Sequence, residues 1–249
     1  MAERVDIFLV RIGLARSRAL ANDLVRSGRV VVNGKTITKP SELVAPDAKI
    51  AINALLGDSN VASRAGGKLA GAIDDLRSQG VEINIEGKDC LDIGASTGGF
   101  TKVLLENGAA RVIALDVGHG QLRPELRENP KVTMLEGVNA RYLTNEQLPF
   151  EPQFITCDVS FISLTMVFPA IKEVAQSGAQ VLLLIKPQFE VGKGNLGKGG
   201  IVRDEKLIAQ AIENVKTKAD ENGFSKIKVI PSKFTGTGGN QEYFLFGIG

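Results

Sequence analysis

Apolar positions mark the start of the chain as two short helices. Val5, Phe8, Leu9 and Ile12 recur at the spacing of one helix face before Gly13 breaks the run. Ser17 reads as the N-cap of a second helix whose Leu20, Ala21, Leu24 and Val25 share a face, and Gly28 as its C′ residue. Val30-Val31-Val32 and Lys35-Thr36-Ile37 flank Asn33-Gly34, which predicts a hairpin. Lys39-Pro40 ends it, and Lys49–Ile52 can add a strand. Residues 53–62 show no periodicity and read as a linker. Beyond them strand-like runs alternate with helical ones. The strands expected are Cys90–Ile93, Val112–Asp116, Lys131–Leu135, Phe154–Cys157, Val181–Ile185, Lys226–Ile230 and Glu242–Phe246. Lys68–Gln79 and Asp204–Glu221 are among the helices between them. Such alternation predicts an α/β domain, a mostly parallel sheet with helices on both faces. The last two strands share a Gly-rich connection, as in an antiparallel edge hairpin.

Composition narrows the function classes. Of 249 residues, 43% are hydrophobic and 23% charged, which allows a real core and argues against disorder. Two Cys cannot build a disulfide framework, and one His cannot supply a histidine-rich metal site, so no metal is expected. Cys90 and Cys157 lie in apolar runs and read as reduced core residues of a cytoplasmic protein. No apolar run reaches the ~18–20 residues of a membrane span, and the early acids Glu3 and Asp6 are unlike a signal peptide. Net charge is only +2, but residues 1–40 hold eight basic and three acidic residues, +5, leaving −3 for the rest. A basic head on a mildly acidic body suggests a polyanion-binding module.

The head carries Arg11, Arg16, Arg18, Arg26, Arg29, Lys35 and Lys39. Scattered cations are usually a solvated surface; the sharper reading is a phosphate-binding face. The run Ser17-Arg18, Leu24, Gly28 through Gly34 and Lys39-Pro40 resembles the S-four RNA-binding domain over roughly residues 4–50. That resemblance implies that the second helix and the following turn lie on structured RNA. Aromatic residues are few here, which disfavours stacking on single strands. The expected organisation is a small α+β RNA-binding domain at 1–52, a linker at 53–62 and a larger domain at 63–249.

The clearest chemical motif is Leu91-Asp92-Ile93-Gly94-Ala95-Ser96-Thr97-Gly98-Gly99-Phe100, which follows a strand and opens a helix. Glycines admit a ligand close to the backbone, and a helix start offers free N–H groups. Asp116 ends the next strand, where its carboxylate can accept from a ribose diol. The dinucleotide fingerprint would need Gly at Ser96. The spacing instead resembles the S-adenosylmethionine loop of class I methyltransferases, in particular their FtsJ-like branch. That resemblance implies a Rossmann-like seven-stranded sheet. It places Asp92 near the methionine end of the donor, Gly94 to Phe100 around it, Asp116 on the ribose with Val117 beside it, and Asn139 near the adenine, where the family's usual Asp is missing. Asp158 is also expected to border the donor. Gly192 to Gly199 mimics a phosphate-binding loop, but Gly199 stands where a hydroxyl would ligate Mg²⁺. It reads as a basic connecting loop.

Methylating a ribose hydroxyl needs a base or cation, because an alcohol is a poor nucleophile. Lys68, Asp158, Lys186 and Glu242 suit that need; each alone would be an ordinary surface charge. Asp158 and Lys186 end strands expected to be neighbours, at the edge where the glycine loop lies. Together the four resemble the Lys-Asp-Lys-Glu tetrad of FtsJ-like ribose 2′-O-methyltransferases. The resemblance implies Lys186 as the central catalytic lysine, Asp158 tuning it, and Lys68 and Glu242 positioning the hydroxyl and the lysine network. Asp158-Val159-Ser160-Phe161 lacks the Pro-Pro-Tyr pattern of amino-base methyltransferases, and Cys157 looks too buried for carbon-5 chemistry. Nearly the whole chain resembles the TlyA family, whose enzymes modify ribosomal RNA at cytidine 2′-hydroxyls and some of whose members are labelled hemolysins. A membrane-active protein and a non-catalytic ribosome-binding assembly factor are the alternatives. His119 is expected either beside the adenosine or on the surface.

Overall fold

The computed structural model describes residues 2–15, 18–26, 30–46, 48–52, 54–197, 199–236 and 239–249, leaving aside the side chains of 19, 20, 23, 26, 52, 54–64 and 193. Arg16, Ser17, Gly28, Arg29, Lys198 and the side chains of Leu20 and Arg26 thus lie outside the described residues. The chain divides into two compact units, Met1–Ser63 and Arg64–Gly249.

In the first unit β1 (Glu3–Arg4) leads into α1 (Val5–Arg11), followed by α2 (Arg18–Arg26), β2 (Val30–Val32), β3 (Lys35–Ile37), β4 (Leu43–Val44) and β5 (Ile50–Ile52). Val5, Phe8 and Leu9 of α1 meet Ala21, Leu24 and Val25 of α2 over Val30, Val32 and Ile37 of the sheet. Ile12, expected on that buried face, is exposed. The helix stops at Arg11, so Ile12 is its C-cap and turns away before Gly13. Asn33 and Gly34 both have positive φ, 49° and 83°, as the turn of a right-twisted hairpin requires. β2 is central, with β5 antiparallel on its other edge. The pairing of β1 with β4 had no sequence signal, since two residues carry no period.

The basic residues of this unit differ in their surroundings. Asp6 is fully buried and accepts from Arg4 and from Arg18, the latter at 3.0 Å. The Arg4 hydrogen bonds, helped by Arg18 and opposed by burial, hold its carboxyl down at about 2. Arg18 remains mostly exposed while tethered there. Arg11 pairs with Glu3 at 2.9 Å and lies over the Phe8 ring. Lys35 and Lys39 are exposed.

The chain continues through α3 (Ala54–Ser78), β6 (Asp89–Ile93), α4 (Gly99–Glu106), β7 (Arg111–Asp116), α5 (Pro124–Arg127), β8 (Val132–Glu136), β9 (Phe154–Cys157), α6 (Phe168–Val174), β10 (Gln180–Ile185), α7 (Pro187–Glu190), α8 (Glu205–Glu221), β11 (Ser225–Pro231) and β12 (Tyr243–Ile248). Residues 54–62, expected to be an irregular connection, are the first turns of α3. Ala54, Leu55 and Leu56 favour helix, and no proline interrupts them.

The sheet order is β11-β12-β10-β9-β6-β7-β8. The five strands from β10 to β8 run parallel; β12 lies antiparallel between β10 and β11. The strand period of two sorts the side chains onto opposite faces. Leu91 and Ile93, Val181, Leu183 and Ile185, and Leu245 pack under α6 and α8. Cys90, Leu182, Leu184, Phe244 and Phe246 pack under α3 and α4. The chain leaves β6 outward to β7 and β8, then returns on the other side to β9. That reversal lies at the carboxyl ends of β6 and β9, the place where open α/β sheets bind ligands.

Candidate active site

The glycine loop sits at that reversal. Gly94 and Ala95 donate to Leu115 O, which fastens the loop to β7. Gly94 has φ 80°, and a Cβ there would meet Asp158 O at 2.5 Å, so the loop backbone lies directly against the end of β9. Ser96 takes φ 49° and donates from N to Asp116 Oδ2 at 2.8 Å; Gly118 N donates to Asp116 Oδ1 at 2.7 Å. Asp116 thus already ties two loops together. Each of its oxygens keeps a second lone pair. Gly98 caps α4 without any side-chain hydrogen bond, leaving first-turn amides of the helix for another acceptor. A donor with a carboxylate and a ribose diol fits these two features: uncapped amides at one end, a fixed carboxylate at the other. Val117 is exposed beside Asp116, and Asn139 caps the following 3-10 turn by accepting from Arg141 N. His119 lies over Gly137, whose missing Cβ leaves room for the ring.

Asp92 differs from the expectation that it reaches the donor. It has no exposed surface, and Thr101 Oγ1 and Thr156 Oγ1 donate to its two oxygens at 2.7 and 3.0 Å. The strand alternation that puts Leu91 and Ile93 on the opposite face turns Asp92 beneath α4. Burial pushes its carboxyl up to about 7 against the pull of both threonines. The folded chain therefore keeps this proton between about pH 4 and 7 while the unfolded chain loses it, so stability falls across that window. Asp92→Asn, which never ionises, is expected to gain stability relative to the parent from pH 4 to 7, by a few kcal/mol at most, and to hold a level difference above 7. Thermal unfolding of both proteins against pH reads this directly; a difference independent of pH would contradict it.

The four candidate catalytic residues share the α3/α4 face. Asp158 and Lys186 lie one step beyond β9 and β10, and Glu242 one step before β12. Their even positions match those of Phe154, Leu184 and Phe244, which point that way. Lys186 Nζ lies 2.5 Å from Asp158 Oδ1 and donates to Ser160 Oγ at 2.8 Å. Lys68 comes in on α3 and donates to Glu242 Oε2 at 2.6 Å; both residues are buried. Gly66 and Gly67 explain how α3 comes so close. A Cβ on Gly66 would press on Gly99 O at 3.1 Å, and one on Gly67 on the Phe234 ring at 3.2 Å. The tetrad is therefore two ion pairs, Lys68–Glu242 and Lys186–Asp158. Cys157 is buried and its thiol is pushed above the usual range by burial first and by Asp158 second, so it is not a nucleophile.

Several residues at the site had no assigned role in the sequence. Ser160 accepts from the central lysine. Phe161 is 91% exposed with φ 66°, a strained setting for a bulky side chain. Its ring lies 5.2 Å from that of Phe189. Glu190 accepts from Ser163 Oγ at 2.6 Å and Leu164 N at 2.8 Å, clasping the loop after β9 to the turn after β10. An apolar residue directly after a strand-ending Asp-x-Ser was the only signal for Phe161. The segment from Gly192 to Gly197 follows α7 and contains a 3-10 turn at Lys193–Asn195, so it is entered from a helix rather than from a strand. Downstream of it, Asn240 donates to Gly200 O and accepts from Val202 N.

The FtsJ-like methyltransferase family model matches residues 61–248, and the S4 domain model residues 3–50. The chain is 44% identical over 245 residues to the 16S/23S rRNA (cytidine-2'-O)-methyltransferase TlyA of Mycobacterium tuberculosis, spanning 98% of this chain and 88% of that protein. It is 39% identical over 241 residues to Hemolysin A of Brachyspira hyodysenteriae, 96% and 97% of the two chains. A solved structure from Streptococcus thermophilus that carries a hemolysin label superposes with a TM-score of 0.72 at 36% identity, covering 99% of this chain and 88% of that one.

Proposed function

Since the chain belongs to the TlyA family of FtsJ-like methyltransferases with an S4 domain, we propose that it transfers a methyl group from S-adenosylmethionine to the 2′-hydroxyl of a cytidine in ribosomal RNA. The observation that carries this reading is Lys186, held between Asp158 and Ser160 at the sheet edge against which the glycine loop lies. When bound, the donor supplies an electrophilic methyl carbon on a sulfonium. Gly94 to Phe100 would surround its methionine part, with Asp92 acting through the loop it anchors. Asp116 would hold the ribose, with Val117 and Asn139 flanking the adenosine. Lys186 would accept the hydroxyl proton as the hydroxyl oxygen takes the methyl group that the bound donor would supply. Asp158 then faces the ammonium that results. Lys68 and Glu242 brace the neighbouring strand end. The exposed Phe161 ring offers a stacking face to an unstacked base.

We assign RNA binding to residues 1–52 and methyl transfer to 63–249, with 53–62 joining them. Arg11, Arg18, Lys35 and Lys39 are the described cations for phosphate contact. Such an enzyme works in the cytoplasm on ribosomal subunits; among the described residues no helix is long and apolar enough to cross a membrane. Lysis of red cells by the purified chain without donor would count against this reading.

The test uses labelled S-adenosylmethionine and subunits from cells lacking the protein, followed by alkaline digestion. Label in alkali-resistant dinucleotides is the expected result, because a 2′-O-methyl group blocks attack on the neighbouring phosphate. Label in mononucleotides would mean base methylation and would refute the tetrad's role. Asp116→Ala is expected to weaken donor binding about 10- to 100-fold by calorimetry, since it removes the ribose acceptor and frees Ser96 and Gly118, while the rate at saturating donor changes much less.

A further inference from the structure

Among the described residues the Lys186 amine has two polar neighbours. Nζ donates to Ser160 Oγ at 2.8 Å and lies 2.5 Å from Asp158 Oδ1. Beyond its carbon, an amine nitrogen has three tetrahedral positions, two N–H bonds and a lone pair when neutral. One hydrogen is drawn to Ser160 Oγ, and repulsion from the close Asp158 Oδ1 keeps the lone pair away from that side, so the lone pair is left the remaining direction. With Asp158 alone, the second hydrogen and the lone pair exchange places by rotation about Cε–Nζ. Ser160 is exposed, but its loop is held to the lysine's turn twice more. Glu190 receives Ser163 Oγ and Leu164 N, and Phe161 lies against Phe189.

We propose that Ser160 is a positioning residue for methyl transfer: its hydroxyl fixes the rotation of the Lys186 amine so that the lone pair faces the attacking 2′-hydroxyl. The inference rests on the reading of Lys186 given above. No atom of Ser160 touches the reacting centre; it acts through the lysine.

The experiment compares full-length Ser160→Ala, Ser160→Thr and Lys186→Ala by steady-state kinetics, with ribosomal subunits from cells lacking the protein as substrate. Ser160→Ala is expected to lower kcat about tenfold, with KM for the subunits and donor affinity held within about twofold. Ser160→Thr, which keeps the hydroxyl, is expected to recover most of the lost rate. An unchanged kcat in Ser160→Ala, a loss confined to KM, or a threonine variant as slow as the alanine one would each overturn the proposal. Full activity in Lys186→Ala would instead remove the reading beneath it. An inactive Lys186→Ala beside an unaffected Ser160→Ala would leave that reading standing and the positioning role refuted.

Discussion

Lys186→Ala is expected to lower the rate of methyl transfer by about 10²–10⁴ at saturating donor while leaving donor affinity nearly unchanged. The lysine is set beyond β10, on the far side of β9 from the loop strand β6, and its polar contacts are Asp158 and Ser160 rather than the glycine loop. Removing the amine deletes the proton acceptor and leaves Gly94 to Gly99 and Asp116 in place. The measurement pairs calorimetric donor titration with single-turnover transfer to subunits. A variant that lost donor binding but kept its rate at saturation would mean that Lys186 belongs to the donor pocket. A variant that complemented fully in cells lacking the protein would favour a ribosome-binding assembly factor over an enzyme.

Lys68→Met is expected to cost about 3–5 kcal/mol of stability, more than most single substitutions, because it strands a buried carboxylate. Glu242 is 2% exposed and its carboxylate receives Lys68 Nζ at 2.6 Å. Its other oxygen occupies the space over Gly236, where a Cβ would collide with it. Replacing both partners, Lys68→Met with Glu242→Leu, is expected to recover most of the loss, since two apolar side chains leave no orphaned charge. Urea unfolding of the two single variants and the double variant closes the cycle. If the double variant is destabilised by the sum of the singles, the two residues are uncoupled and the pairing is not what holds α3 to β12. Restored stability without restored methyl transfer would separate the pair's service to the reaction from its service to the fold.

The glycine loop and the hairpin at Asn33-Gly34 were legible in the chain because each is signalled by local chemistry, whereas the tetrad candidates stood out only through their resemblance to the FtsJ-like pattern. Parallel central strands are buried on both faces, so they read as largely apolar runs; Val181–Ile185 of β10 is wholly apolar, and β9 at Phe154–Cys157 is broken only by Thr156. Asn-Gly announces a turn because both residues must take positive φ. The depth of Asp92 was less accessible. Its neighbours suggested a ligand loop, but only the packing of α4 over that face, with Thr156 on the adjacent strand β9, closed the carboxylate in against Thr101 and Thr156. Ile12 matched the helical period and still lies outside the core, because the helix ended one residue before it.

Residue order was enough to mark the central strands and most helices of the larger unit, and a basic module ahead of an α/β domain. Those properties depend on residue type and on periods a few residues long. Tertiary structure alone decided the partners. Lys68 and Glu242 are separated by 174 positions and meet because β12 inserts between β10 and β11 rather than adding at the edge. The same insertion sets Glu242 beside the strand that ends at Lys186, and the crossover from β8 back to β9 brings Asp158 beside the glycine loop. Strand order is chosen by the burial of two whole sheet faces at once. No local pattern encodes that sum, and so the ion pairs of the site, unlike its residues, were fixed only when the sheet closed.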